Sequence, residues 1–301
     1  MICAVLLAIS IQALPNITAA LPEHLRVLPR HKLFDYPGAL LALLGSAFLV
    51  FGLTEGTPAQ WAPYAVVTIV LGVVLLTVFV GVECKVSRPL VPMKLWKTPG
   101  FTALVSSYAL GFGSYIAWQF YATRFFLDVQ AVSPLTAGLY YLPNAIVGVL
   151  AAAVVSRVFH IFPAHWLFIT AMVSFGLGPV FFLPQTSNTS YWALSMPGIA
   201  LVTLGPDLSF AAASIFITSQ VPRDSQGAAG SLLVTIQNLS AAIMTGISDA
   251  IGVAASGGSD TVSLKGLHAL WWFQLASALC GAIICSIFVR IPRGQEKAHA
   301  Q

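Results

Sequence analysis

The chain has 301 residues, 57% of them hydrophobic and only 8% charged, with a mean hydropathy of +0.86. A soluble domain carries about a quarter charged residues; this much apolar surface needs lipid, which excludes a water-soluble enzyme or binding module. The formal net charge of +4 would suggest nucleic acid only in a soluble protein, and no nucleic-acid partner is expected here.

Apolar runs of about 17 to 25 residues without strict alternation predict an all-α polytopic membrane protein rather than a barrel. Eight complete spans are expected, near 36–54, 63–82, 101–121, 136–155, 166–183, 192–219, 227–250 and 268–289. A shorter apolar piece, Ile2 to Leu14, precedes them within 1–35 and reads as the remnant of a further span followed by a cytoplasmic loop. The first two spans make a two-helix hairpin over 36–82. Next comes 83–100, ECKVSRPLVPMKLWKTPG. Its prolines, Pro89, Pro92 and Pro99, forbid one continuous helix, so it reads as a cytoplasmic linker. A C-terminal six-helix bundle is expected over 101–290, then a cytoplasmic tail over 291–301.

The basic residues sort by side. Of the 14 Lys and Arg, only Arg124 and Lys265 fall in loops on one side. The rest gather on the other, at Arg26–Lys32, Lys85–Lys97, Arg157, Arg223 and Arg290–Lys297. That asymmetry places the richer side, and the C-terminus, in the cytoplasm. The poorer side carries Asn188-Thr189-Ser190, an N-glycosylation sequon. Cys3, Cys84, Cys280 and Cys285 have no metal-like spacing, and no metal site or cofactor is expected.

The stretch from Leu201 to Met244 holds the polar groups of most interest. Gly205-Pro206-Asp207 lies deep in an apolar run, and Asp207 is the acidic residue placed nearest a bilayer midplane. A carboxylate there is expensive and marks a functional site by default, so Asp207 is the candidate for proton coupling. The competing reading is a structural Asp bonded beside the Pro206 kink. Gln237 and Asn238 follow on the next span, where they either meet substrate or join helices at about 0.6–2 kcal/mol each. Gln119, Tyr141 and Asn144, among Tyr115, Trp118, Tyr121 and Tyr140, are the other candidates for a substrate cavity, since aromatics with a few amides suit flat amphipathic compounds. Tyr and Trp near span ends also form interfacial belts. Gly205, Pro206, Gly227 and Gly230 are expected to serve close helix packing. No G-x-x-x-x-G-K-[ST] motif and no nucleophile elbow is present, so neither ATP use nor an enzyme is expected.

Four stretches together resemble a known family. These are Lys32-Leu33-Phe34-Asp35-Tyr36-Pro37-Gly38-Ala39; Phe51-Gly52-Leu53-Thr54-Glu55-Gly56 with Trp61; Arg88-Pro89-Leu90-Val91-Pro92; and Gly205-Pro206-Asp207 through Gln226-Gly227-Ala228-Ala229-Gly230-Ser231-Leu232. They resemble the major facilitator superfamily, and within it the fungal fourteen-span drug:proton antiporters of the aminotriazole-resistance type. The resemblance runs from about Lys32 to Arg293. It implies that the chain corresponds to the end of the sixth span and the seventh to fourteenth, an N-terminally truncated form. It further implies proton-coupled export of small organic compounds across a plasma or vacuolar membrane. The alternative is a non-transporting membrane fragment, or a half-transporter that depends on a partner and associates through the surface left by the missing half.

Overall fold

The computed structural model describes residues 35–86, 89–158, 163–257 and 262–290. The expected remnant, apart from Asp35, and the C-terminal tail lie outside these residues. Among the described residues there are ten α-helices and no strand. They are α1 (Tyr36–Gly56), α2 (Pro63–Glu83), α3 (Phe101–Arg124), α4 (Pro134–Leu139), α5 (Leu142–Val158), α6 (Ala164–Phe182), α7 (Met196–Val202), α8 (Leu204–Gln220), α9 (Gln226–Ala255) and α10 (Leu264–Phe288).

Local chemistry sets the helix starts. Asp35 caps α1, its Oδ1 accepting from Gly38 N at 3.0 Å, and Pro37 occupies the first turn, where a missing N–H costs nothing. Ser133 caps α4 and Ser263 caps α10 in the same way. The linker is tied down rather than free. Buried Glu83, at the end of α2, accepts from Leu90 N and Val91 N, both at 3.1 Å. A 3₁₀ turn, Leu95–Lys97, and Gly100 in the left-handed region (φ 81°) then redirect the chain into α3.

Among the described residues seven helices are long and apolar enough to cross a membrane, against eight expected spans. The difference is α3. Its 24 residues make a rod of about 36 Å, enough for a hydrocarbon core of about 30 Å. Its apolarity is lower because it carries Ser106, Ser107, Tyr108, Ser114, Tyr115 and Gln119. The cause is position. α3 runs through the middle of the bundle against α6, α9 and α10, and a helix shielded by protein need not be apolar all round.

The registers show how the helices alternate in direction. Ser114 Oγ donates to Gln274 O at 2.6 Å and Gln274 Nε2 to Ser248 Oγ at 3.2 Å, pinning α3, α10 and α9 through a fully buried glutamine. An aromatic cluster fills one end: Trp118 stands edge-on to Phe182 (centroids 5.1 Å apart), and Trp271 packs on both Phe125 (5.6 Å) and Phe182 (5.5 Å). Lys85, Lys94, Lys97, Arg157, Arg223 and Arg290 belong to the opposite end, while Arg124 and Lys265 lie at the end of the α1–α2 turn. Of the described cysteines, Cys285 is buried, whereas Cys84 and Cys280 are exposed.

The hairpin packs on the bundle through α1 against α9, where Gly246 meets Leu53. Its own seam is built of glycine. Gly38, Gly45 and Gly52 recur every seventh residue on the buried face of α1, and Gly72 of α2 faces them. A Cβ at Gly72 would lie 2.5 Å from Leu49 N and 2.8 Å from Gly45 O. Both obstacles are backbone, so neither can swing away. Gly72→Ala is therefore expected to destabilise the hairpin by about 1–3 kcal/mol through overpacking. Thermal unfolding of the purified chain checks this; an unchanged midpoint would contradict the seam.

Candidate substrate cavity

The span that carries Asp207 is broken. A π turn (Tyr191–Ser195) leads into α7, which ends at Val202, and α8 begins at Leu204 with Thr203 between them. Pro206 has no N–H, so the Val202 carbonyl loses its partner one turn on. Thr203 Oγ1 meanwhile bonds back to Ile199 O at 2.7 Å. Gly205 lets this interrupted stretch lie against α6: a Cβ there would sit 2.5 Å from the Phe175 ring. Asp207 consequently falls in the first turn of α8, where the helix dipole favours negative charge. It is half-buried, and no hydrogen bond to its carboxylate occurs among the described residues. α5 passes close by, with the Cβ position of Gly148 3.5 Å from Asp207 Oδ2.

Asp207 opens into a cavity of about 820 Å³. Its walls are Tyr108, Phe112, Tyr115, Ile116 and Gln119 of α3, Ala152 of α5, Pro206, Phe210 and Ala211 of α8, and Val234 and Gln237 of α9. Asp207 is the one ionisable acid among these lining residues. Tyr108 stacks on Phe112 (5.6 Å), and Phe112 stands edge-on to Tyr115 (5.8 Å). The Tyr115 hydroxyl is within electrostatic reach of Asn144 and Asp207. Tyr108 Oη donates to Gln237 Oε1 at 3.0 Å, joining α3 to α9 across the cavity floor. The wall is open where Phe210 (51% exposed) and Val234 (45%) face outward.

The candidates from the sequence separate here. Gln119 and Gln237 line the cavity with Asp207; Gln237 also serves helix joining, the other role weighed for it. Asn144 is not among the lining residues, but its side chain interacts with that of Tyr115, which is. Tyr141 does not line the cavity: its hydroxyl donates to Gln119 O (3.1 Å) and lies 3.0 Å from Thr123 Oγ1, fastening the start of α5 to α3. Asn238 is exposed and bonds back to Val234 O at 2.9 Å, so it does not reach the cavity either. Gly227 and Gly230 do not provide close packing among the described residues, because a Cβ at either meets no atom within 4 Å. They lie on an open face at the start of α9, while Ala229 between them is buried in the core. Asn188 is exposed in the loop after α6. Tyr108 and Phe112 were not among the candidates. They share one helical stripe with Tyr115 and Gln119, at steps of four, three and four, and that spacing was the available signal. No group of three or more His, Cys, Asp or Glu that could hold a metal ion occurs among the described residues.

No protein-family model matches the chain. Its curated relatives are transporters. The low affinity ammonium transporter of Saccharomyces cerevisiae is 27% identical over 256 residues, covering 84% of this chain and 49% of that protein. Efflux pump terJ of Aspergillus terreus is 26% identical over 255 residues, 84% of this chain and 49% of the pump. The aminotriazole resistance protein of Saccharomyces cerevisiae is 26% identical over 273 residues, 90% of this chain and 50% of that protein. The chain spans about half the length of the curated relatives it matches. With seven apolar helices of spanning length, it is an integral membrane protein whose homologues are fungal transporters of the major facilitator type.

Proposed function

We propose that this chain is a proton-coupled exporter of small organic compounds. The observation that carries the reading is Asp207: one carboxylate, at a helix break in the middle of a long span, facing an aromatic cavity of about 820 Å³. Broken helices at mid-membrane sites are where secondary transporters bind substrate and coupling ions. An ionisable group there exchanges its proton with whichever side the cavity faces, and so couples a gradient to transport. Aromatic walls with Gln119 and Gln237 suit flat, amphipathic compounds. The names of the relatives, an efflux pump and a resistance protein among them, favour export of such compounds. The ammonium transporter is the reason the substrate class needs direct measurement.

Two further assignments belong to this proposal. The end of the bundle that carries Lys85, Lys94, Lys97, Arg157, Arg223 and Arg290 faces the cytoplasm, together with the C-terminus, in a plasma or vacuolar membrane. The lipid bilayer, protons and a small organic substrate are the partners. The open side of the cavity, at Phe210 and Val234, favours a second reading: a partner-dependent half-transporter that closes its cavity against another helical unit. The test is accumulation of a fluorescent organic cation by cells expressing the chain, with and without a protonophore. Protonophore-sensitive efflux supports transport by the chain itself. Efflux that appears only when a second half is co-expressed supports the partner reading, and none in either case sinks both.

A further inference from the structure

A second cavity lies away from Asp207, between the hairpin and the bundle at the end of the α1–α2 turn. It holds about 1020 Å³. The turn residues Thr57, Pro58, Gln60 and Trp61 form one wall, the ends of α3 and α9 the others. Three of its described lining residues are charged. Arg124 and Asp128 pair with each other at 3.6 Å, and both are more than half exposed. Asp249 stands apart on α9, with one carboxylate oxygen accepting from Tyr121 Oη at 2.7 Å. A carboxylate has about four acceptor positions, so this bond leaves most of its capacity open to the cavity. The crevice therefore carries one uncompensated negative charge among its lining residues. Trp61, Phe120 and Tyr121 line the same crevice, with the Arg124 guanidinium 5.8 Å over the Phe120 ring, and Leu53, Ile116 and Val253 add apolar wall.

The turn that completes the wall is held in an unusual backbone. Gln60 (φ 49°) and Trp61 (φ 58°) are consecutive non-glycine residues in the left-handed region, a conformation that costs of order 1–2 kcal/mol per residue. The turn is closed by Gln60 N to Thr57 O (3.0 Å) and Trp61 N to Gly56 O (2.7 Å). The result lays the Trp61 ring over Gly56, where a Cβ would come within 2.8 Å of it. Trp61 and Asp249 line the same crevice, and an aromatic face and a carboxylate in one cavity are the chemistry that holds an organic cation.

We propose that this crevice is a binding site for an aromatic organic cation, with Asp249 as its counter-charge and Trp61 as its aromatic wall. It adjoins the Asp207 cavity only at Ile116, which lines both, and does not rest on the transport reading. A choline headgroup shares the cation chemistry, so the test separates a free cation from a lipid.

Ethidium is titrated into the purified chain in detergent micelles, then in phosphatidylcholine and phosphatidylglycerol nanodiscs, following its fluorescence. Saturable binding is expected in all three, weakened about tenfold by Asp249→Asn and severalfold by Trp61→Leu. Asp224→Asn, which removes an exposed acid that lines neither cavity, should leave it unchanged. Asn keeps an acceptor for Tyr121, so Asp249→Asn removes charge without removing the packing bond; the melting midpoint confirms that the variant is folded. Equal affinity in wild type and Asp249→Asn, or no saturable binding by wild type, overturns the proposal. Binding lost only in phosphatidylcholine assigns the crevice to the lipid headgroup and overturns the free-cation assignment.

Discussion

Asp207→Asn is expected to reduce gradient-driven transport to background while leaving expression, membrane insertion and thermal stability close to wild type. The substitution is nearly isosteric, and no hydrogen bond to the Asp207 carboxylate occurs among the described residues, so no packing partner is orphaned by it. What disappears is the exchangeable proton. A structural role predicts another pattern: Asn would lower the melting midpoint and reduce transport only in proportion to folded protein. The two are separated by assaying substrate movement in proteoliposomes under an imposed pH gradient, and again by counterflow without one. A proton-coupling residue loses the first and retains the second, because exchange of substrate for substrate needs no net proton movement. Wild-type rates in the gradient assay would sink the role assigned to Asp207. Loss of both with a normal melting curve would make Asp207 a substrate contact instead.

Asp207 was legible in the sequence because a lone acid in an apolar run has one strong physical meaning. The spans were legible for a similar reason: lipid imposes length and apolarity on nearly every helix that touches it. α3 shows where that reading weakens. Its Ser, Tyr and Gln residues are polar because α6, α9 and α10 enclose it, and enclosure is a property of the assembled bundle. Gly227 and Gly230 show the converse. Small residues at that spacing permit close approach, but which face a neighbour meets is decided elsewhere; here the core covers Ala229, and a Cβ at Gly227 or Gly230 meets nothing within 4 Å. Tyr141 and Asn238 depended on azimuth. A shift of one or two residues around a helix moves a side chain from the cavity to the α3 backbone or to the outer face, and composition carries no azimuth. The crevice at Asp249 was hidden for the same reason, since its walls come from the hairpin, α3 and α9, which are far apart in the chain.

Gly113→Val should destabilise the bundle and weaken substrate binding together. Gly113 sits at the middle of α3, where a Cβ would lie 2.8 Å from Ser240 O and 2.7 Å from Met244 Cγ on α9. Met244 is flexible and yields; the Ser240 carbonyl is helix backbone and does not. A branched side chain must therefore push α3 and α9 apart, at an overpacking cost of about 1–3 kcal/mol. The separation also stretches the Tyr108–Gln237 bond, five residues from Gly113 and three from Ser240, and with it the floor of the cavity. Two effects should appear together: a melting midpoint lower by several degrees and weakened substrate binding. Gly81→Ala is the control, because a Cβ there meets nothing within 4 Å. With no clash to offset it, the helix-propensity gain of up to about 1 kcal/mol should leave that variant at or above wild-type stability. If Gly113→Val melts like Gly81→Ala, the α3–α9 contact is not set by backbone approach at Gly113. If it melts lower but binds normally, the cavity floor is held by something other than the Tyr108–Gln237 bridge.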